Sequence, residues 1–152
     1  MKIQDIKWML LDTHTDSRGK LTAIEGNKDV FFNIKRVFYI SDVSEGSARG
    51  GHAHVDTDQL AIAVTGTVRI VVSDGTDSSE VILDSPSAGI LLPRMTGTCL
   101  TDFSPGAVCL VLASTNYDKS LSIRNWESYL EKRKLPKIAE FTSGALISRP
   151  LP

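Results

Sequence analysis

Cysteine is scarce in this chain: 152 residues carry two, Cys99 and Cys109. Two thiols cannot build a disulfide framework, and both sit among apolar neighbours, which predicts two buried free cysteines. Histidine is nearly as rare, at His14, His52 and His54. An excess of either charge sign is missing too: 17 basic residues face 18 acidic ones, for a net charge of -1. That removes the electrostatic case for a nucleic-acid partner, although a few local arginines can still hold an anion. No apolar run is long enough to cross a bilayer. The first five residues show no apolar stretch and no small-residue cleavage site, so cytoplasm is the default compartment. What is present is ordinary for a soluble protein: 41% hydrophobic and 23% charged residues, in a length that suits one domain with a real core.

The middle of the chain reads as short strands divided by turn signals. Candidate strands cover residues 6–11, 21–25, 34–40, 59–65, 67–73, 80–83, 89–92 and 107–114, rich in β-branched side chains such as Val68, Ile70, Val71 and Val72. Turns are expected at 16–19, 46–51, 74–75 and 104–106. This spacing predicts an all-β sandwich or closed barrel. In 59–64, large and small residues alternate, so Leu60, Ile62 and Val64 face one way and Gln59, Ala61 and Ala63 the other. If the second face lines a lumen, it leaves room for a ligand.

One short helix is predicted from Trp126, because Trp126, Tyr129 and Leu130 form an i, i+3, i+4 stripe, with basic residues in the last turn and Pro136 as the stop. Residues 1–136 are expected to be one domain and 137–152 a C-terminal extension. The apolar start at 6–11 is too hydrophobic for a free terminus. Pairing with a neighbour's sheet would satisfy its backbone.

The chemistry concentrates in Arg49-Gly50-Gly51-His52-Ala53-His54, followed by Gln59 and Gly66. Histidines at i and i+2 on a strand point to one face, and an imidazole both takes and gives a proton near neutral pH. His-x-His, four residues, an acidic position, six residues and a glycine make up the first motif of the cupins, which this segment resembles. In metal-binding cupins that position is Glu and a later His completes the set; here it is Gln59. Two imidazoles and an amide are a poor set for a divalent metal, so the histidines read as acid–base groups and no cofactor is expected.

A more specific resemblance follows. Asp16-Ser17-Arg18-Gly19 with Leu21, Ala23-Ile24-Glu25, residues 34–40, Arg49-Gly50 and His52-Ala53-His54 are similar to the nucleotide-sugar 3,4-ketoisomerases. So are Asp102-Phe103-Ser104, residues 111–114 and Tyr117-Asp118. The resemblance implies a cupin, that is, an RmlC-like jelly-roll β-barrel with a short C-terminal helix. It implies a metal-free homodimer with exchanged N-terminal strands. It implies a dTDP-linked 4-keto-6-deoxyglucose as substrate, with the ketone moved from C4 to C3. It points to His54 as base or proton shuttle, His52 as its acid–base partner, and Tyr39 as a hydrogen-bond donor to the developing oxyanion. Arg49 matches a family arginine beside the histidines and is a candidate for the pyrophosphate. Arg18 and Arg36 are further anion-site candidates, and Gln59 a candidate substrate contact. The chain departs from the family pattern at Val55, where a basic residue is usual, and at 93–99, which lacks a Trp-His pair. The alternatives are an epimerase on the same substrate class and a non-catalytic nucleotide-sugar-binding cupin.

Overall fold

The computed structural model of the chain describes residues 3–134. In chain order the first strands are β1 (Lys7–Leu10), β2 (Thr13–Asp16), β3 (Gly19–Thr22), β4 (Arg36–Ile40), β5 (Arg49–His54) and β6 (Gln59–Thr65). They are followed by β7 (Val68–Ser73), β8 (Ser78–Leu83), β9 (Ala88–Leu92), β10 (Gly97–Thr101), β11 (Val108–Ala113) and the two-residue β12 (Ser122–Ile123). One helix, α1 (Trp126–Lys132), comes last. The expected stop at Pro136 and the extension from Lys137 lie outside the described residues. No described helix is long and apolar enough to cross a membrane.

Two five-stranded sheets form, in the orders β1-β9-β6-β11-β4 and β12-β5-β10-β7-β8. They stack as a jelly-roll sandwich, and strand hydrogen bonding does not close them into one barrel. The all-β cupin expectation therefore holds in its sandwich form. Pairing along the chain is antiparallel, as in Leu110↔Ile62 on one side of β11 and Leu110↔Tyr39 on the other. The hairpin β2–β3 stands apart as a two-stranded sheet.

Alternation along the strands sorts the side chains into two clusters. Between the sheets, Ala61, Ala63, Val68, Ile70, Val72, Leu83 and Cys109 pack together. On the outer face of the first sheet, Leu60, Ile62 and Leu112 are covered by Val30 and Phe32 from the segment between β3 and β4. The small residues of β6 thus face inward and the large ones outward; the pattern at 59–64 separates the two faces, and the sheet packing sets which one is inside.

Some expectations shift. The apolar start pairs on one side within its own chain, Lys7↔Leu91 to Leu10↔Ala88, and stands at the edge of its sheet with its other side unpaired among the described strands. Residues 23–25 are not a strand; Ile24 instead packs onto the outer cluster. β10 was not expected, because its Gly-Thr-Cys-Leu-Thr sequence lacks a strand signature and is held in register by β7 and β5. Only one thiol is buried: Cys109 is, whereas Cys99 on β10 is half-buried. Burial pushes the Cys109 thiol up to about 11.

Candidate active site

β5 carries the histidines, and its glycines explain their placement. The pairing of β10 with β5 shifts register between Thr98↔His52 and Cys99↔Gly50, leaving Gly51 as an extra residue. That is a β-bulge, a device that re-aims a side chain and increases local twist. Gly50 and Gly51 have φ of 82° and 70°, in the left-handed region that favours glycine. A Cβ on Gly50 would lie 2.8 Å from the Thr98 carbonyl. The segment predicted as a turn at 46–51 is in its last part a bulged strand.

Beyond the bulge, His52 and His54 point the same way, as their i, i+2 spacing requires. Their Nε2 atoms are 3.2 Å apart, with ring planes at 88°. Ser122 on β12 lies beside His54, with Oγ 3.4 Å from Nδ1. Both rings face a cavity of about 360 Å³ between the sheets, at the end the core cluster leaves open. Gln59 and Ala61 of β6 line it, as do Arg36 and Phe38 of β4, and Thr98 of β10. Tyr117 and Arg124 complete the lining.

No Asp or Glu lines this cavity, while two arginines do. The Arg36 guanidinium lies 5.1 Å from the Phe38 ring centre and 5.4 Å from that of Tyr117, a stacked geometry that favours a cation. Its Nε is buried without a hydrogen-bond partner. Burial lowers the His54 pKa to about 4, helped by positive charge on His52 and Arg36 and opposed by Asp56. His52 is also lowered, first by burial, with the Gly50 carbonyl pulling the other way and Arg124 and Arg36 adding to the depression. Both imidazoles are therefore neutral at pH 7, which is the form that accepts a proton.

The predicted site residues divide. His52, His54, Gln59 and Arg36 converge on the cavity. Tyr39 does not: along β4 the even positions Arg36, Phe38 and Ile40 face inward, and Tyr39 is 69% exposed on the outer face, paired with Leu110. Arg49 is exposed and does not line the cavity; it lies before the Gly51 bulge, where it is the register partner of Leu100. Arg18 sits on the free hairpin, ion-paired with Asp16 at 2.5 Å. Three polar lining residues were missed: Thr98, Tyr117 and Arg124. Tyr117 and Arg124 lie in loops, where strand alternation gives no direction, and Thr98 lies on the strand the pattern failed to show. Among the described residues no third His, Cys, Asp or Glu joins the pair in a group that could hold a metal.

The family model described as "FdtA: WxcM-like, C-terminal" matches residues 4–134. The chain belongs to this family. It is similar to a TDP-4-oxo-6-deoxy-alpha-D-glucose-3,4-oxoisomerase from Aneurinibacillus thermoaerophilus, at 41% identity over 125 residues, covering 80% of this chain and 90% of that protein. Two family structures superpose closely. The WlaRB TDP-quinovose 3,4-ketoisomerase from Campylobacter jejuni gives a TM-score of 0.82 at 38% identity, covering 85% of this chain and 99% of that one. The sugar 3,4-ketoisomerase QdtA from Thermoanaerobacterium thermosaccharolyticum, in complex with TDP, gives 0.84 at 34% identity, covering 87% and 96%.

Proposed function

We propose that this chain is a sugar 3,4-ketoisomerase acting on dTDP-4-keto-6-deoxy-D-glucose. The observation that carries the reading is a pair of imidazoles, with Nε2 atoms 3.2 Å apart, at the wall of a cavity whose charged lining groups other than these rings are arginines. A C4 ketone acidifies the C3 proton. His54 removes it, breaking C3–H and leaving an enediolate. The proton on the C3 oxygen passes to the C4 oxygen with His52 as relay, and His54 returns its proton to C4. The carbonyl ends at C3, no electrons leave the sugar, and one face of one ring serves both carbon steps.

Arg36 and Arg124 suit the diphosphate, because each is a charged donor in a cavity lining that holds no carboxylate. The apolar wall of Phe38, Leu92 and Val111 suits the C6 methyl. An epimerase needs acid and base on opposite faces of the ring, whereas the histidines occupy one wall. Incubation with the 4-keto substrate in deuterated water decides the matter by NMR. A ketoisomerase moves the carbonyl to C3. Deuterium at C3 or C5 with an unmoved carbonyl means an epimerase, and no change in bound sugar means a binding protein.

The same reading includes a homodimer. The β2–β3 hairpin pairs with no other strand among the described residues, and a lone two-stranded ribbon is marginally stable. The outer face of β4 exposes Val37 and Tyr39, an apolar patch that a second copy would cover. Exchange of the N-terminal hairpin between copies would satisfy both.

A further inference from the structure

Three features of the molecule have no part in the proposed reaction: the apolar cleft near Ile3 and Trp8, the half-buried Cys99, and the serine behind the histidine pair. The serine is the one whose geometry leads to a chemical role. Ser122 and His54 are register partners on β12 and β5. β12 is only two residues long, yet it is fixed on both sides. Val55 N–H donates to the Leu121 carbonyl at 3.0 Å, and Asp118 caps the turn before it by accepting from Ser120 N–H at 2.9 Å. After it, Asn125 caps α1 by accepting from Ser128 N–H at 3.0 Å.

Ile123 is buried against Ala53 and Tyr129 behind the strand. Alternation then turns Ser122 the other way, onto the histidine side. The Tyr129 hydroxyl, 2.9 Å and 2.7 Å from the carbonyls of Ser73 and Met95, anchors this back layer. The serine is therefore held where its Oγ meets Nδ1 of His54 at 3.4 Å.

We propose that Ser122 is a positioning residue whose hydroxyl accepts from Nδ1–H of His54, so that Nε2 is the bare nitrogen turned to the substrate. This rests on the reading of His54 as the base. A neutral imidazole has one donor and one acceptor nitrogen, and the partner of one fixes the role of the other. The Nε2–Nε2 contact needs one proton between two nitrogens. With Nδ1 of His54 donating to Ser122, the His52 Nε2–H supplies that proton and the His54 lone pair accepts it. Substrate displaces this contact and meets the same lone pair. Once His54 has taken the C3 proton, Ser122 still accepts from Nδ1–H. The other charged or titratable groups facing His54 are His52, Arg36, Asp56 and Arg124, none of which is an acceptor placed at Nδ1 by a hydrogen bond among the described residues.

The test uses the isosteric pair Ser122→Thr and Ser122→Val, both at home on a strand, in the full chain. Ring ¹⁵N shifts of His54 in the substrate-free protein read the tautomer without any turnover. Wild type and Ser122→Thr are expected to show Nδ1 protonated and Nε2 bare, and Ser122→Val a mixture of tautomers. With substrate, Ser122→Val is expected to lose about 5- to 50-fold in kcat with KM within twofold, and Ser122→Thr to recover most of it. Protonated Nε2 in wild type overturns the proposal, as does an unchanged tautomer in Ser122→Val. An inactive wild type with the expected tautomer would instead count against the substrate reading alone.

Discussion

His52 and His54 meet edge to face, with ring centres 4.8 Å apart and Nε2 atoms at 3.2 Å, so a proton held by one is within hydrogen-bond reach of the other. Two neighbouring imidazoles of depressed pKa act as a coupled unit rather than as independent bases. Replacing either should therefore hurt, but unequally. His54→Asn is expected to lower turnover by about 10²- to 10⁴-fold, the range for a positioned acid–base group. His52→Asn should cost less if it relays between oxygens. Isothermal titration with TDP should show nucleotide binding little changed in both. Wild-type turnover by His54→Asn would remove His54 from the mechanism.

The pH dependence follows from burial. The sequence alone places the acid inflection near the ordinary imidazole value of 6.5, whereas burial moves His54 to about 4. The base works when neutral, so kcat/KM for the free protein should hold as pH falls past 6 and drop towards 4. A bound diphosphate offsets the positive field of Arg36 and Arg124, so the kcat profile should break at higher pH. NMR titration of His54 with and without TDP checks both. Stability has the same sign: the unfolded chain binds the extra proton first, so the His54 contribution worsens as pH falls from 6.5 towards 4 and is absent above it.

The two tyrosines should separate cleanly. Tyr117 lines the cavity and stacks on Arg36, while Tyr39 points out from β4. Tyr117→Ala is expected to raise KM about 5- to 30-fold through loss of that stacking contact and a slackened arginine. Tyr39→Phe should leave kcat and KM within twofold. Steady-state kinetics on the two variants gives the answer, and a large loss in Tyr39→Phe would mean that Tyr39 reaches a site after all.

Gly50→Ala should be costly despite its small size. The added methyl meets the Thr98 carbonyl at 2.8 Å, and the backbone keeps φ near 82°. A side chain held at such a φ costs on the order of 1–3 kcal/mol. The urea midpoint is expected to fall accordingly. Activity should fall further than stability explains, since the bulge aims His52.

The dimer is tested at its exposed apolar face. Light scattering is expected to give a dimer at micromolar concentration. Val37→Lys combined with Tyr39→Lys should shift it towards monomer, because two buried cations without partners oppose association. Removing residues 1–12 should weaken the sheet edge at β9, since β1 pairs there within the chain, while leaving the β2–β3 hairpin able to join two copies. A monomeric wild type would contradict the dimer.

Much of this protein was legible in its sequence, because local rules sufficed. Alternation in β6 put Gln59 and Ala61 on one face and Leu60 and Ile62 on the other, and the structure keeps that division, with the first face on the cavity. The i, i+2 spacing of His52 and His54 put both rings on one side of a strand, which no packing detail can undo. The helix stripe of Trp126, Tyr129 and Leu130 appeared where the period placed it. Tertiary structure decided the rest. It alone set the parity of β4, turning Arg36 in and Tyr39 out, because a five-residue strand of mostly apolar residues gives no local preference between faces. It brought Tyr117, Arg124 and Ser122 to the histidines from loops and a two-residue strand. It also moved the pKa of His54 by closing sheets around it. Sequence spacing fixes which residues share a face; only the stacking of the sheets fixes what that face meets.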